Sequence, residues 1–488
     1  MQLSWRADKR KCCSPVIGPA NNIEAARFLD QATFGPRLQD IAQLRQQGYA
    51  SWIDDQFAAR ISLQKPFMDW IRSQSSDVPP QLRQEAWFIQ SAQLADPVDP
   101  THLHDDQLRK RVAFALSQLL VVSDKGALAF QPGALTDYYD TLARHAFGNY
   151  RDLLEATTLH PAMGRFSQML GNRRADAALN IRPDENFARE VLQLFSIGLV
   201  QLHSDGTAVR IDGQVVPTYN EAQVRGFARV FTGWNFSACA AASYANCHPP
   251  TSHDAAWTTP MEPVESFHDS SNDKQLLDYP GVALPQGLLK AGGDARQELK
   301  IALDNIFNHP NVGPFVARHL IQRLVTSNPS AGYVGRVAAA FNNNGQDVRG
   351  DMKSVIRAVL LDHEARYGHL LAPTTFGKLR EPVTKLVRLW RVAPPRSVSG
   401  RVFRYSHLTD QYGQFPLSAP SVFNFYKPDF APIGEVRNAG LVAPEFQIAT
   451  DSQLVSAPND LGIRIFFNYV GSLEPNVWED ANRCATKH

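Results

Sequence analysis

Between Arg182 and Gly198 the chain reads RPDENFAREVLQLFSIG, which places Glu185, Asn186, Arg189 and Glu190 within six residues. Two carboxylates beside an arginine are the raw material for acid–base work or for holding a cation. On a helix, residues five apart stand about 140° apart around the axis, so the two glutamates do not face one small ligand. Phe187, Val191, Leu194 and Phe195 form an apolar stripe at i, i+4, i+7 and i+8, the mark of one buried helix face. Glu190 borders that stripe, while Glu185 and Arg189 pair at i, i+4 on the far side. Desolvation raises the pKa of a carboxyl so placed unless a donor holds it. Arg225, Arg229 and His268 are the expected donors, and Glu190 is the expected acid/base residue. The competing expectation is a buried salt bridge from Glu190 to Arg225 or Arg229.

A second group lies in an irregular stretch. His268 and Asp269 are adjacent, and Lys274 follows five residues later. A His–Asp pair on a loop held by a rigid scaffold is a common catalytic arrangement. A turn in which Asp269 caps a helix start is the alternative. The expected catalytic set is therefore Glu190, His268 and Asp269, with Glu185, Asn186, Arg189, Arg225 and Lys274 in support. Cys239 and Cys247 flank a short loop and read either as a disulfide of an oxidising compartment or as two free thiols. His145 reads as a mid-helix residue, while His160 and His309 precede prolines at helix ends. No G-x-S-x-G elbow, G-x-G-x-x-G turn or P-loop occurs, so neither a serine nucleophile nor a nucleotide is indicated. CxxC, HExxH and a Cys/His cluster of zinc spacing are also not found, and the residues name no metal or cofactor.

Helical patterns must position these groups. Asn21 or Asn22 caps a helix that Gly35-Pro36 ends, and a second runs to Phe57. Long amphipathic patterns follow at 105–123 and at 138–159, the latter interrupted near Gly148-Asn149. Further helices are expected at 182–198 with Pro183 in the first turn, at 220–232, and at 294–308, 312–326, 330–343 and 350–362, and once more over KLREPVTKLVRLWRV. Asn311 is expected to cap the second of that group of four. VRIDGQVVPTY alternates around Asp212-Gly213, a strong hairpin signal. Residues 235–295 and 394–450 lack periodicity; the aromatic residues of the second, Phe415, Phe423, Phe425 and Tyr426 among them, suit packing or a sugar-binding cleft. The fold class is mainly α: a large multi-helix body with one short β-hairpin and long irregular loops. Residues 1–21 read as a tail and 22–451 as a single helical domain, with two lobes meeting near 235–295 as the alternative. Residues 452–488 read as an atypical, truncated tail.

The 488 residues carry a formal net charge of +1, which gives no basic field for nucleic acid. No run of 18 apolar residues exists to span a membrane, and the basic N-terminus lacks the apolar stretch of a signal peptide.

Several phrases resemble one family: RFLDQATFGPR, RHAFGNYRDLLEATTLHPAMG, PDENFAREVLQLFSIGL, FHDSSNDKQLL, HPNVGPFVARHLIQRLVTSNPS, GKLREP and APSVFNFYKPDFAPIGE. Together they look like the bacterial "domain of unknown function 1800" family, from about Ile23 to Asp451. The resemblance implies an exported protein, periplasmic or secreted. It also implies a neighbour-encoded partner of the sulfatase-like "domain of unknown function 1501" type. It brings no reaction with it. A hydrolase-like enzyme acting on an extracellular or envelope substrate is the leading expectation, and a non-catalytic envelope assembly, maturation or binding protein is the alternative. Two departures stand out. Many members carry a Trp-His-Asn-His cluster where this chain has FALSQLL with Ser117 and Gln118, and many have ELHTLG where it has QLFSIG, so Phe195 stands in place of a histidine. The resemblance thus carries no metal site to this chain.

Overall fold

The computed structural model describes residues 18–74, 80, 82–249, 255–395 and 412–467. The helices are α1 (Asn22–Ala32), α2 (Leu38–Ala58), α3 (Lys65–Gln74), α4 (Leu82–Ala92), α5 (Gln107–Ser117), α6 (Pro132–His145), α7 (Tyr150–Thr158), α8 (Pro161–Phe166), α9 (Asn186–Gln193), α10 (Glu221–Val230), α11 (Ala295–Phe307), α12 (Val312–Leu324), α13 (Ala331–Asn342), α14 (Met352–Leu361), α15 (His363–Leu371), α16 (Pro382–Val392), α17 (Glu435–Asn438) and α18 (Asp451–Phe467). Three two-stranded antiparallel sheets accompany them: β1 (Arg210–Ile211) with β2 (Gln214–Val215), β3 (Trp234–Asn235) with β4 (Glu262–Pro263), and β5 (Lys274–Gln275) with β6 (Leu288–Leu289). The protein is mainly α, as its periodicity indicates.

The expected hairpin is β1–β2, with Arg210 opposite Val215 and Ile211 opposite Gln214. Asp212 and Gly213 both take positive φ, 50° and 80°, the conformation that a two-residue turn joining twisted strands requires. The break at Gly148-Asn149 is present too, with the Asn149 side chain capping α7 through Arg151 N–H.

The central helix is shorter than the 182–198 pattern. It starts at Asn186, so Pro183 lies ahead of it rather than in its first turn. The reason is local: Asn172 clamps Asp184, accepting from its N–H at 2.8 Å and donating to its carbonyl at 3.2 Å. Asn186 N–H in turn goes to the Asp184 side chain, 2.8 Å. Side-chain hydrogen bonds thus offer the backbone an alternative to a first helical turn. At the other end Gly198, at φ 74°, turns the chain away, and its N–H returns to the Leu192 carbonyl, 3.0 Å. α9 packs on α10, with Phe187 and Phe231 edge to face at 4.8 Å.

The α12–α13–α14 group packs consecutively, and α5 lies among α1, α2, α4, α6 and α12. Buried apolar residues from Ala25 to Leu417 form one contiguous core; Val121, Ala419, Phe425 and Tyr426 form a smaller cluster beside it. Phe415 (0% exposed) and Tyr426 (1%) are therefore packing residues. Phe403 and Tyr405 lie outside the described residues, as do Cys12, Cys13 and Cys484.

Asn311 does not cap α12. Its backbone is already helical and its side chain makes no cap hydrogen bond. Instead it is buried and ties down the chain beyond α9: it donates to the Ile197 and Val200 carbonyls, 2.9 and 2.8 Å, and accepts from Leu202 N–H, 2.9 Å. Losing a cap costs about 1 kcal/mol, whereas orphaning buried backbone groups costs about 1–3 kcal/mol each. Asn311→Ala is accordingly expected to lower stability by about 3 kcal/mol in chemical denaturation; a loss near 1 kcal/mol would mean the clamp is not what Asn311 contributes.

Candidate functional site

Glu185, Arg189 and Arg225 form a surface ion-pair network. Arg189 reaches Glu185 at 2.6 Å and Glu221 at 2.9 Å, and Arg225 stands 3.8 Å from Glu185 and 3.7 Å from Glu221. Asn186 donates to the Ser167 carbonyl at 3.1 Å. These contacts hold the start of α9 against α10, on the side away from Glu190.

Glu190 is 9% exposed, and its Oε2 is buried without a hydrogen-bond partner. The expected donors are engaged elsewhere. Arg225 serves Glu185 and Glu221; Arg229 stands 3.6 Å from Asp269 and donates to the Asp273 carbonyl at 3.1 Å; His268 faces Glu298. The salt bridge expected of Glu190 does not form. Burial raises its carboxyl from 4.5 to about 7, against a smaller opposing pull from Arg189.

His268 and Lys274 are drawn together by a residue that the sequence reading missed. His268 Nε2 and Lys274 Nζ lie 3.0 and 2.9 Å from Glu298 Oε2, and Lys274 also donates to Oε1 at 3.0 Å. His268 and Lys274 are 0% exposed, as is Glu298. His268 Nδ1 lies 3.0 Å from the Thr232 carbonyl. Gly233, at φ 87°, makes room for that approach, because a Cβ there would stand 2.9 Å from His268 Cβ. Asp269 is buried: its N–H goes to Thr232 Oγ1 at 2.9 Å, and its carboxylate accepts from Asn272 at 2.8 Å. The triad is closed to water and does not contact Glu190. A signal for Glu298 was present: it falls on the buried stripe of α11 with Ala295, Leu299, Ala302 and Ile306, and a charged residue on such a stripe needs a buried partner.

His145, His160 and His309, the other histidines singled out in the sequence, lie at helix ends. His160 caps α8, its Nδ1 accepting from Ala162 N–H at 3.1 Å. His309 Nδ1 accepts from Asn311 N–H at 3.1 Å, and burial pushes its imidazole down to about 4. His145 ends α6. Cys239 and Cys247 are joined by a disulfide, with Cα atoms 5.8 Å apart.

A cleft of about 290 Å³, lined by Arg27, Asp30, Arg111, Lys378, Arg380 and Glu381 among others, was also missed. Its floor is a buried ion cluster. Glu381 accepts from Gln118 at 2.7 Å and from Gln414 at 2.6 Å, with Lys378 at 3.8 Å and Arg111 at 3.9 Å. Burial alone would raise the Glu381 carboxyl, but Lys378, Arg111 and Arg323 outweigh it and hold it below the usual value. Arg380 bridges to Asp30 at 3.0 Å, and Lys378 to Glu445 at 2.9 Å. Arg111 is 5% exposed; its Nη2 donates to the Arg323 carbonyl at 2.6 Å, and its Nη1 is buried without a partner. The cleft wall carries four cationic side chains against two carboxylates. Gln118 links Glu381 to the Tyr426 hydroxyl, 3.1 Å.

Glu190 and Glu298 should respond oppositely to the same change. Glu298→Gln leaves the buried Lys274 charge unmatched and is expected to cost about 3–5 kcal/mol. For Glu190 the folded pKa is raised, so the native state holds a proton that the unfolded chain releases. Its stabilising contribution is complete below about pH 4.5 and is lost as pH rises to about 7. Glu190→Gln is thus expected to match the wild type at pH 4 and to exceed it by about 2 kcal/mol at pH 8. Denaturation curves at the two pH values check both, and a destabilised Glu190→Gln protein at pH 8 would contradict the unpaired carboxyl.

No curated protein and no solved structure matches the chain. A family model does, and it continues past Asp451, so most of the tail that resembled nothing falls within the match. With residues 27–483 matched, the chain belongs to the family described as protein of unknown function, DUF1800.

Proposed function

We propose that this protein is an exported bacterial envelope protein that binds an anionic group, carboxylate, sulfate or phosphate, in the Arg111–Lys378–Arg380 cleft. The observation that carries the reading is the buried, unpartnered Nη1 of Arg111 on a wall with more cations than carboxylates. A buried guanidinium N–H without an acceptor is costly, and an anion supplies the acceptor with a charge-assisted hydrogen bond. The Cys239–Cys247 disulfide supports export, since such bonds persist in oxidising compartments. Among the described residues no helix is long and apolar enough to cross a membrane. A sulfatase-like neighbour of the "domain of unknown function 1501" type is a fitting partner, because such an enzyme acts on the same class of anionic ester.

Thermal shift and calorimetric titration with sulfate, phosphate and glucuronate provide the test. At least one anion is expected to bind and to raise the melting temperature, with affinity falling as salt rises. Arg380→Gln, at the cleft rim, is expected to weaken binding roughly tenfold or more. Absence of binding by all three, or undiminished binding by Arg380→Gln, would overturn the reading.

One observation favours a second reading, a hydrolase-like enzyme. Glu190, with its carboxyl raised to about 7, has the proton affinity of a general acid working near neutrality. His268 and Asp269 would then support the fold around it from the neighbouring buried network. A panel of chromogenic esters, phosphates, sulfates and glycosides is expected, on this reading, to include one that the wild type hydrolyses and Glu190→Gln does not. Equal turnover by the two proteins sinks it.

A further inference from the structure

Ahead of α5 the chain reads DPVDPTHLHDD, with His102 and His104 one residue apart. Folding brings Asp96 back beside them: one ligand atom from each of Asp96, His102 and His104 lies within 4.8 Å of the others. The imidazole rings are 4.6 Å apart. The surrounding hydrogen bonds fix the chemistry. Ser62 Oγ donates to Asp106 Oδ1 at 2.6 Å, and Ser62 N–H donates to Asp106 Oδ2 at 2.9 Å. With its proton committed, the hydroxyl accepts from His104 Nδ1–H, 3.1 Å away, and His102 Nε2 also stands 3.2 Å from it. That holds Nδ1 to Ser62 and turns Nε2 toward Asp96.

Nε2 stands 3.3 Å from Asp96 Oδ2. His104 is only 1% exposed, so Asp96 rather than water is what Nε2 meets. An imidazole nitrogen and a carboxylate meeting in a buried place share a cation, either a proton or a metal ion. A proton would serve that pair alone. The convergence of His102 as a third ligand, with Asp106 behind Ser62 as a second negative charge, favours a metal ion. Arg60, the nearby surface cation, is already paired with Asp99 at 3.0 Å.

We propose that Asp96, His102 and His104 bind a divalent ion of the zinc class. Two imidazoles and a carboxylate are a donor set for such ions. Tetrahedral bonds of about 2.0–2.1 Å place ligand atoms roughly 3.3 Å apart, so the half-buried His102 ring moves inward by about an ångström on binding. Three protein ligands leave a fourth position. His102 lies on the wall of a cleft of about 810 Å³ that Asp40, Gln107 and Arg391 also line, which gives the ion an entry path and an exchangeable ligand. The site shares no residue with the anion-binding cleft, and it stands or falls separately.

The test is titration of the chelator-stripped, cysteine-alkylated full chain with Zn²⁺, and with Co²⁺ followed by its visible absorption. One ion per chain is expected, with a tetrahedral Co²⁺ spectrum that Zn²⁺ displaces. His104→Gln and Asp96→Asn are expected to abolish that spectrum, and Ser62→Ala to weaken Zn²⁺ binding about tenfold or more through loss of the positioning contact. His102→Gln, at the accessible ligand, keeps the test decisive if His104→Gln does not fold. No binding by the wild type, or undiminished binding by His102→Gln and Asp96→Asn, overturns the proposal and leaves a proton shared between His104 and Asp96.

Discussion

Glu298 has no access to water, and that constraint organises the middle of the molecule. A carboxylate taken into an apolar helix interface must find positive partners. Lys274 comes from β5 and His268 from the loop before it, so pairing with Glu298 draws both segments onto α11. α10 is then held from the other side. Gly226 presses so closely on Gln275 that a Cβ would overlap its carbonyl, and Arg229 reaches Asp269 and Asp273. The orientation of α10 in turn sets α9, because Phe187 packs on Phe231 and Arg189 reaches Glu221. Few regular strands are needed where buried charge does the aligning.

The same physics fixes the second irregular stretch. Residues 412–450 have little regular structure, yet they cross the core beside α4, α5 and α16. Arg83 donates to the Pro416 and Leu417 carbonyls at 2.9 and 3.2 Å and pairs with Asp124 at 2.6 Å. Gln414 serves Glu381, Tyr426 meets Gln118, and Lys378 pairs with Glu445. Each contact satisfies a polar group that would otherwise be stranded. An aromatic-rich loop is thereby held in one conformation without strand or helix ladders.

The helices, the hairpin and the break at Gly148-Asn149 were legible because they rest on local rules: apolar period, caps and turn residues. α9 was misjudged at its start because the Asn172 clamp on Asp184 comes from twelve residues away and leaves no periodic trace. The Asn311 reading failed for the same reason, since its partners Ile197 and Val200 are more than a hundred residues distant. For the candidate site, burial of Glu190 was readable from its place beside the stripe, but its partner was not. Arg225 and Arg229 were plausible by proximity in sequence, and both are claimed by other carboxylates. Glu298 sits on an apolar stripe, but its partners His268 and Lys274 lie 30 and 24 residues away; Asp96 is near His102 and His104 in sequence, but a non-periodic turn brings the three together.

Where buried polar groups are nearly all paired, the unpaired ones carry information. A charge-bearing or lone-pair atom without a partner in a well-packed interior loses free energy that evolution could recover by an apolar substitution. Glu190 Oε2 and Arg111 Nη1 are two such atoms, His104 Nε2 meets only Asp96, and the three differ in what would satisfy them. Glu190 takes a proton, and its raised pKa shows the environment already favours that outcome. Arg111 does not release its proton at any physiological pH, so only an acceptor relieves it, and the neighbouring cations require that acceptor to be negative. His104 faces a carboxylate and needs a cation. In each case the missing partner follows from the chemistry of the orphaned atom. The two that open toward clefts, Arg111 and the His102–His104 pair, are where that partner can arrive from solution.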